Sequence, residues 1–264
     1  MNPLRPNRLA MLPLLALAFT AVHAADLAVG GYQQNFDAMG TSGTTPPAGW
    51  SVLTGNAGTT NATWTNTIPG NGANSVASMV ATSGSLTVTT APSGTNNNGF
   101  NAALSAAATA DRVLATSPTT VTGTALQLSL TNTTGASFSA LTIGFDTVRF
   151  TSVTTDNELP GYWLFYSLDG SNWTNLSDLN PTISTVPNTV GVTTLAPTLV
   201  TLSTPVADGQ TLYLRWVDDN ARQTSPDQIL GLDNVSISAV PEPTPAGLLA
   251  LGLAAGALLR RRKA

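Results

Sequence analysis

"GTALQLSLTNTTGASFSALTIGFDTVRFTS", from Gly123 to Ser152, decides the fold. Leu126, Leu128 and Leu130 fall on every second residue, with polar or small residues between them. After a Thr-Gly turn the pattern resumes, with Leu141, Ile143 and Phe145 on one face and Gly144, Asp146 and Val148 on the other. A period of two is that of a strand whose two faces meet different surroundings. Downstream, "GYWLFYSLDGSNWTNL" reads as an aromatic strand, an Asp169-Gly170 turn and a returning segment with Trp173. "TLVTLSTP", "GQTLYLRWVDD" and "QILGLDNVSIS" continue the series. Short strands at regular spacing, with no long helix between them, predict an all-β chain built as a single antiparallel β-sandwich.

Upstream the pattern is looser. "NFDAMGTSGTTPPAGWSVL" sets Phe36 and Trp50 around a Pro-Gly loop, and "NSVASMV" and "SLTVTT" read as short strands. "FNAALSAAATADRVLAT" fits either a short helix near Ala102–Ala110 or loop and strand, because alanine gives neither period.

The two ends differ from this middle. Arg5 and Arg8 precede the apolar run Leu9–Val22, and Val22-His23-Ala24 offers small residues for cleavage, so residues 1–24 are expected to be a secretory signal peptide whose core is helical. Cleavage after Ala24 would remove His23, the only histidine, from a chain that has no cysteine. The other end, "VPEPTPAGLLALGLAAGALLRRRKA" (240–264), sets Pro241, Glu242 and Pro243 before an apolar run that stops at Arg260, Arg261, Arg262 and Lys263. As a helix the run Ala246–Leu259 would be roughly 21 Å long, a short transmembrane helix beside a ~30 Å hydrocarbon layer. The basic end would hold it on the cytoplasmic side.

The triad, the Gly/Ala/Leu run and the basic end, in that order, resemble the PEP-CTERM sorting signal of Gram-negative bacteria. That resemblance implies a partner, the exosortase, a membrane-embedded cysteine protease that cuts near Pro-Glu-Pro. It also implies transient membrane anchoring, then delivery to the cell surface or extracellular matrix. Residues 25–239 are then the exported cargo, an extracellular β-sandwich domain. A second likeness spans residues 32–239. "NFDAM", "SLDGSNW" and "LYLRWVDDN…LGLDNVSI" resemble extracellular jelly-roll modules of the carbohydrate-binding and lectin-like kind, with Arg215, Trp216, Asp218 and Asp233-Asn234 in the most specific segment.

The exported segment 25–239 carries thirteen Asp and Glu against four Arg, a net charge of −9, which argues against a nucleic-acid partner. Without His or Cys, Ser-His-Asp and Cys-His catalysis and the usual zinc sites lack their central residue, and Lys263 is the only lysine. A non-enzymatic role is therefore expected. The alternative class is a glycoside hydrolase, which needs only two carboxylates. Its candidates are Asp156, Glu158, Asp218, Asp219, Asp227 and Asp233. Asp218, Asp219, Asp227 and Asp233 are also the candidate Ca²⁺ ligands, since this cation takes six to eight oxygens; "NFD" at Asn35–Asp37 would join them if the first and last strands pair. The alternative for these acids is a solvated loop, or one fixed by Arg215. For glycan binding, Trp64 in polar "NATWTNT" and Trp173 are the candidate exposed stacking residues, whereas Trp163 and Trp216 sit in apolar strands and are expected in the core. The expected partner is an exopolysaccharide or cell-surface glycan. A structural matrix protein with no specific ligand is the competing reading.

Overall fold

The computed structural model describes residues 23–55, 76–82, 84–92, 96–118, 121, 123–151, 161–182, 185, 189–219 and 228–241. Fourteen strands form within them. They are β1 (Ala25–Leu27), β2 (Tyr32–Gln34), β3 (Trp50–Thr54), β4 (Val80–Ala81), β5 (Thr87–Thr89), β6 (Asn96–Ser105) and β7 (Ala108–Ser117). The rest are β8 (Gly123–Asn132), β9 (Phe138–Thr151), β10 (Trp163–Ser167), β11 (Thr174–Asn175), β12 (Gly191–Val206), β13 (Thr211–Asp219) and β14 (Ile229–Pro241). The signal and tail helices expected at the two ends lie outside the described residues, and among those residues no helix is long and apolar enough to cross a membrane.

The strands form two mainly antiparallel seven-stranded sheets packed as a β-sandwich. The first runs β11-β10-β13-β8-β3-β4, with β1 parallel to β8 beyond the end of β3. The second runs β12-β9-β14-β7-β6-β5, with β2 against β14. The two segments that announce the fold therefore sit in different layers: β8 in the first sheet, β9 in the second. Leu126, Leu128 and Leu130 of one and Leu141, Ile143 and Phe145 of the other share one buried cluster.

Aromatic rings mark the middle of that cluster. Trp216 of β13 lies 5.3 Å from Trp50 of β3 and meets Phe145 of the opposite sheet edge-on at 5.9 Å. Phe36 closes on the other side of Trp50 at 5.0 Å. Trp50 and Trp216 are at most 2% exposed, and Trp50 Nε1 donates to Tyr32 Oη at 2.6 Å. A ring of this size removes ~150–250 Å² from water, about 4–6 kcal/mol of transfer free energy as an upper bound.

Each sheet also buries residues of the opposite parity. Leu53, Ala125, Trp163, Phe165 and Val217 lie on the outer face of the first sheet under Val76 and Met79; Phe100, Val113, Ala115, Val148 and Ile229 lie on the outer face of the second. The Ala-rich stretch resolves as the β6–β7 hairpin and not as a helix, paired within the second sheet, with Ala102, Ala103 and Ala115 fully buried. Among the described residues of "NSVASMV" only Val80 is in a strand, the first residue of β4, with a helical turn at residues 76–78 before it. The Asp169-Gly170 turn forms as expected, with Gly170 at φ 73°, a left-handed angle that glycine adopts freely.

Removing the bridging indole tests the packing. Trp216→Ala should cost about 3–5 kcal/mol in urea unfolding, while Val29→Ala, at a turn tip 83% exposed, should stay within ~0.5 kcal/mol. A loss below ~1 kcal/mol for Trp216→Ala would mean that the two sheets are held together elsewhere.

Candidate functional site

Three polar constellations are built on this sandwich. The first is a buried network at one end of the layers. Asp218 is fully buried; its carboxylate accepts from Thr116 Oγ1 at 2.6 Å and from Gln228 Nε2 at 3.0 Å. Arg149 Nη1 donates to Gln228 Oε1 at 2.9 Å, which fixes the amide with its nitrogen towards Asp218. Tyr162 Oη lies 3.0 Å from Thr116 Oγ1 and donates to the Leu230 carbonyl at 2.9 Å. Burial, then the charge of Asp218, pushes the Tyr162 hydroxyl well above its ordinary range and keeps it a donor. Asp218 thus ties β7, β13 and the start of β14 together.

The second constellation is acidic. β14 changes neighbours along one edge, pairing β7 at Leu230–Leu232 and β2 at Val235–Ile237. Asp233 and Asn234 fall in the gap. Asp37 enters it from the turn after β2, with its Oδ1 accepting from the Arg112 amide at 2.8 Å. Asp111 of β7 and Asp146 of β9 complete the surroundings, so "NFD" meets the last strand as expected. Asn234 Nδ2 donates to Asp146 at 2.8 Å, and its amide donates to Asp233 at 2.7 Å. The two non-glycine residues with left-handed φ among the described ones, Phe36 (59°) and Asn234 (47°), each adjoin one of these carboxylates. Phe36 is held so by burial against Trp50 and by an amide bond to Gln34 Oε1 at 2.7 Å. Asp233 is 3% exposed; burial first, and then the charges of Asp111, Asp146 and Asp37, push its carboxyl up to about 7 against the lowering effect of the Asn234 amide. Among the described residues no three carboxylates or imidazoles converge closely enough to form a metal centre as they stand. A groove of about 550 Å³ runs alongside, lined by Gln33, Gln34, Asn35, Asn234, Val235 and Ser236.

The third lies on the outer face of the first sheet and at its hairpin end. Register puts Asn175, Phe165, Arg215, Gln127 and Ser51 in one row across the strands. Arg215 Cζ sits 3.9 Å over the Trp173 ring, Nε donates to Gln127 Oε1 at 2.8 Å and Nη1 donates to the Val76 carbonyl. Desolvation lowers the guanidinium to about 10, still charged at neutral pH. Trp173 is half-buried, with one ring face taken by Arg215 and Nε1 buried without a partner among the described residues. The hairpin tip is fixed by Asp169, which accepts from the Asn172 and Ser171 amides at 2.7 and 2.8 Å; these bonds hold its carboxyl far below the usual range. Beside the tip opens a groove of about 390 Å³ lined by Ser167, Asp169, Asn172, Thr174, Ser203 and Gln210, among others.

The sequence candidates are thus distributed. Asp218 and Asp233 enter separate networks, because Asp218 faces inward with Trp216 whereas Asp233 faces outward, opposite to Leu232. Asp219 is placed as backbone at the end of β13, and Pro241 as backbone at the end of β14. Trp64, Asp156, Glu158, Asp227, Glu242, Pro243, Arg260, Arg261, Arg262 and Lys263 lie outside the described residues. Trp163 and Trp216 are buried as expected. Asp111, Asp146, Tyr162 and Gln228 were not singled out by motif. Only the outward parity of Asp146 hinted at its place.

No family model matches the chain, and no curated protein sequence matches it. Among solved structures, one described as the Agl-KA catalytic domain aligns with 87% of this chain at 10% identity and a TM-score of 0.27. The alignment takes in 31% of that chain, so this protein spans under a third of its length.

Asp233 gives a pH signature. Its folded pKa lies above the unfolded value near 3.9, so the folded state binds more protons between the two. Its contribution is complete below about pH 4 and is lost as pH rises through about 7. The melting temperature should fall from pH 4.5 to 7.5 (about the window the two values bracket), and Asp233→Asn should flatten that fall. An equal slope in the variant would remove Asp233 as its source.

Proposed function

We propose that this chain is an exported, non-enzymatic β-sandwich of jelly-roll type, sorted to the cell surface or extracellular matrix by a PEP-CTERM tail and contacting polysaccharide there. One observation carries the sorting part: β14 remains paired as far as Pro241, opposite Phe138, so the first residue of the Pro-Glu-Pro triad is also the last residue of that strand. β14 has β9 along one edge and, on the other, β7 at Leu230–Leu232 and β2 at Val235–Ile237; from Ser238 to Pro241 it is paired with β9 alone. A protease cutting before Ser238 would have to extract a doubly flanked strand, whereas Pro241 lies past that part. The proposal is therefore cleavage after Pro241, with Glu242 as the recognised residue, held extended by prolines that cannot join the helix that follows.

Polysaccharide contact is best supported at the hairpin end of the first sheet, where hydroxyls, amides and the Asp169 carboxylate line one groove; Trp173, between the lining residues Asn172 and Thr174, does not line it and has one ring face on Arg215. Such groups match the donors and acceptors of sugar hydroxyls. Trp64 remains the second proposed stacking residue. The carboxylates of Asp37, Asp111, Asp146 and Asp233 influence one another electrostatically but do not converge as a cation cage, so calcium has no part in this reading.

Two experiments test this reading. The intact mass of surface-recovered protein should place its C-terminus at or after Pro241 and before Ala246, and Glu242→Ala should accumulate a longer, membrane-retained precursor. A surface form that still carries Arg260–Ala264 would contradict the sorting assignment. In affinity electrophoresis through the native exopolysaccharide, Trp173→Ala and the exposed pair Thr174→Ala/Thr204→Ala should both lose retardation. If wild-type protein migrates freely there, the structural matrix reading without a glycan ligand replaces the binding one.

A further inference from the structure

The four ends of the two strand orders are unequal, and the strands off those orders, β1 and β2, add edges of only three residues each. The first sheet ends in β11 and β4, two residues each, and the second ends on one side in β5, three residues. Such short edges offer almost no template for another strand. The fourth edge is β12, sixteen residues long, paired with β9 on one side and with no strand on the other among the described residues. No residue from Thr189 to Val206 is charged, although the exported segment carries thirteen acids against four arginines. Val190, Val192 and Leu199 are among the most exposed large apolar side chains described.

We propose that β12 is a self-association edge: two copies of this chain pair antiparallel through Thr198–Leu202, joining their second sheets into one. A second copy is favoured over a foreign strand by the charge pattern. Two bodies of net charge −9 repel wherever their acids face one another, and this strip is where they can meet with no charged side chain opposite another. A basic partner, which the rest of the surface would attract, finds no anchor on it.

The ends of the stretch define the register. Pro197 has no amide hydrogen, and the Ser203 amide is already given to Tyr166 Oη at 3.0 Å. A two-fold near Val200 sets Pro197 of one copy opposite Ser203 of the other, so the ladder stops at both ends with no donor left unpaired. Val200 and Leu202 point into the core, and Leu199 and Thr201 point to solvent. The pairing thus keeps each core intact and lays Leu199 against Thr201 of the partner copy. The prolines that interrupt β12 limit the contact to one short segment. They favour a closed pair over an open fibre.

The absence of cysteine makes the test direct. Full-length chain carrying Leu199→Cys, in mild detergent, is treated with a thiol cross-linker of about 8 Å reach, the spacing of diagonal neighbours across two strands. Dimer should form on the order of 10²-fold faster than with Val29→Cys, because pairing replaces micromolar by millimolar effective concentration. Thr201→Lys, at an exposed position, should leave the melting temperature unchanged and abolish both the dimer in sedimentation and the fast cross-linking of Leu199→Cys. Equal rates for the two cysteine variants would overturn the proposal, as would a wild-type chain that sediments as monomer or a dimer untouched by Thr201→Lys. An edge reserved for a foreign strand or a glycan gives the monomer result and counts against it.

Discussion

The contact between Trp216 and Phe145 spans the two sheets, and most of the molecule follows from the requirement that they stay clamped around it. β13 and β9 can face each other there only if consecutive long strands, β8 and β9, lie in different layers. That alternation gives each layer strands distant in sequence: β3, β8, β10 and β13 in one, β7, β9, β12 and β14 in the other. Side chains of one parity fill the space between the sheets. Those of the other parity are left for the outer faces, where all three polar constellations except the Asp218 network are found.

β14 is the strand on which the functional features converge. Its flanks are divided between β7 and β2, and the division opens a gap at Asp233 into which Asp37 and Asp111 reach. Four carboxylates share this region with an amide-rich groove beside them. Burying Asp233 there works against stability at neutral pH, and the left-handed backbones at Phe36 and Asn234 add to the cost. The same strand runs on, paired with β9, as far as Pro241.

The alternating leucines of β8, the aromatic run of β10 and the Asp169-Gly170 turn were legible because each is local: a period of two or a turn residue states its own geometry. The β6–β7 hairpin was not, since alanine satisfies helix and strand alike and its choice here comes with pairing to strands distant in sequence, β14 above all, within the second sheet. The grouping of acids was half legible. Sequence proximity suggested one loop holding Asp218, Asp219, Asp227 and Asp233, but parity sends Asp218 inward with Trp216 and Asp233 outward. Pairing of β2 with β14, a contact between residues some two hundred positions apart, supplies Asp37 instead. Trp173 was correctly placed on a hairpin; that Arg215 already occupies one of its faces depends on cross-strand register, which no local pattern encodes.

Hydrogen exchange on the full chain tests the central claim that β14 is an interior strand clamped by the intersheet core. Amides of residues 230–232 and 235–237, where β14 has a strand on each side, should exchange only through global unfolding, together with those of β8, β9 and β13, and far more slowly than those of β4 and β5. Exchange of those residues at the rate of the short edge strands would contradict it, and with it the placement of Asp233.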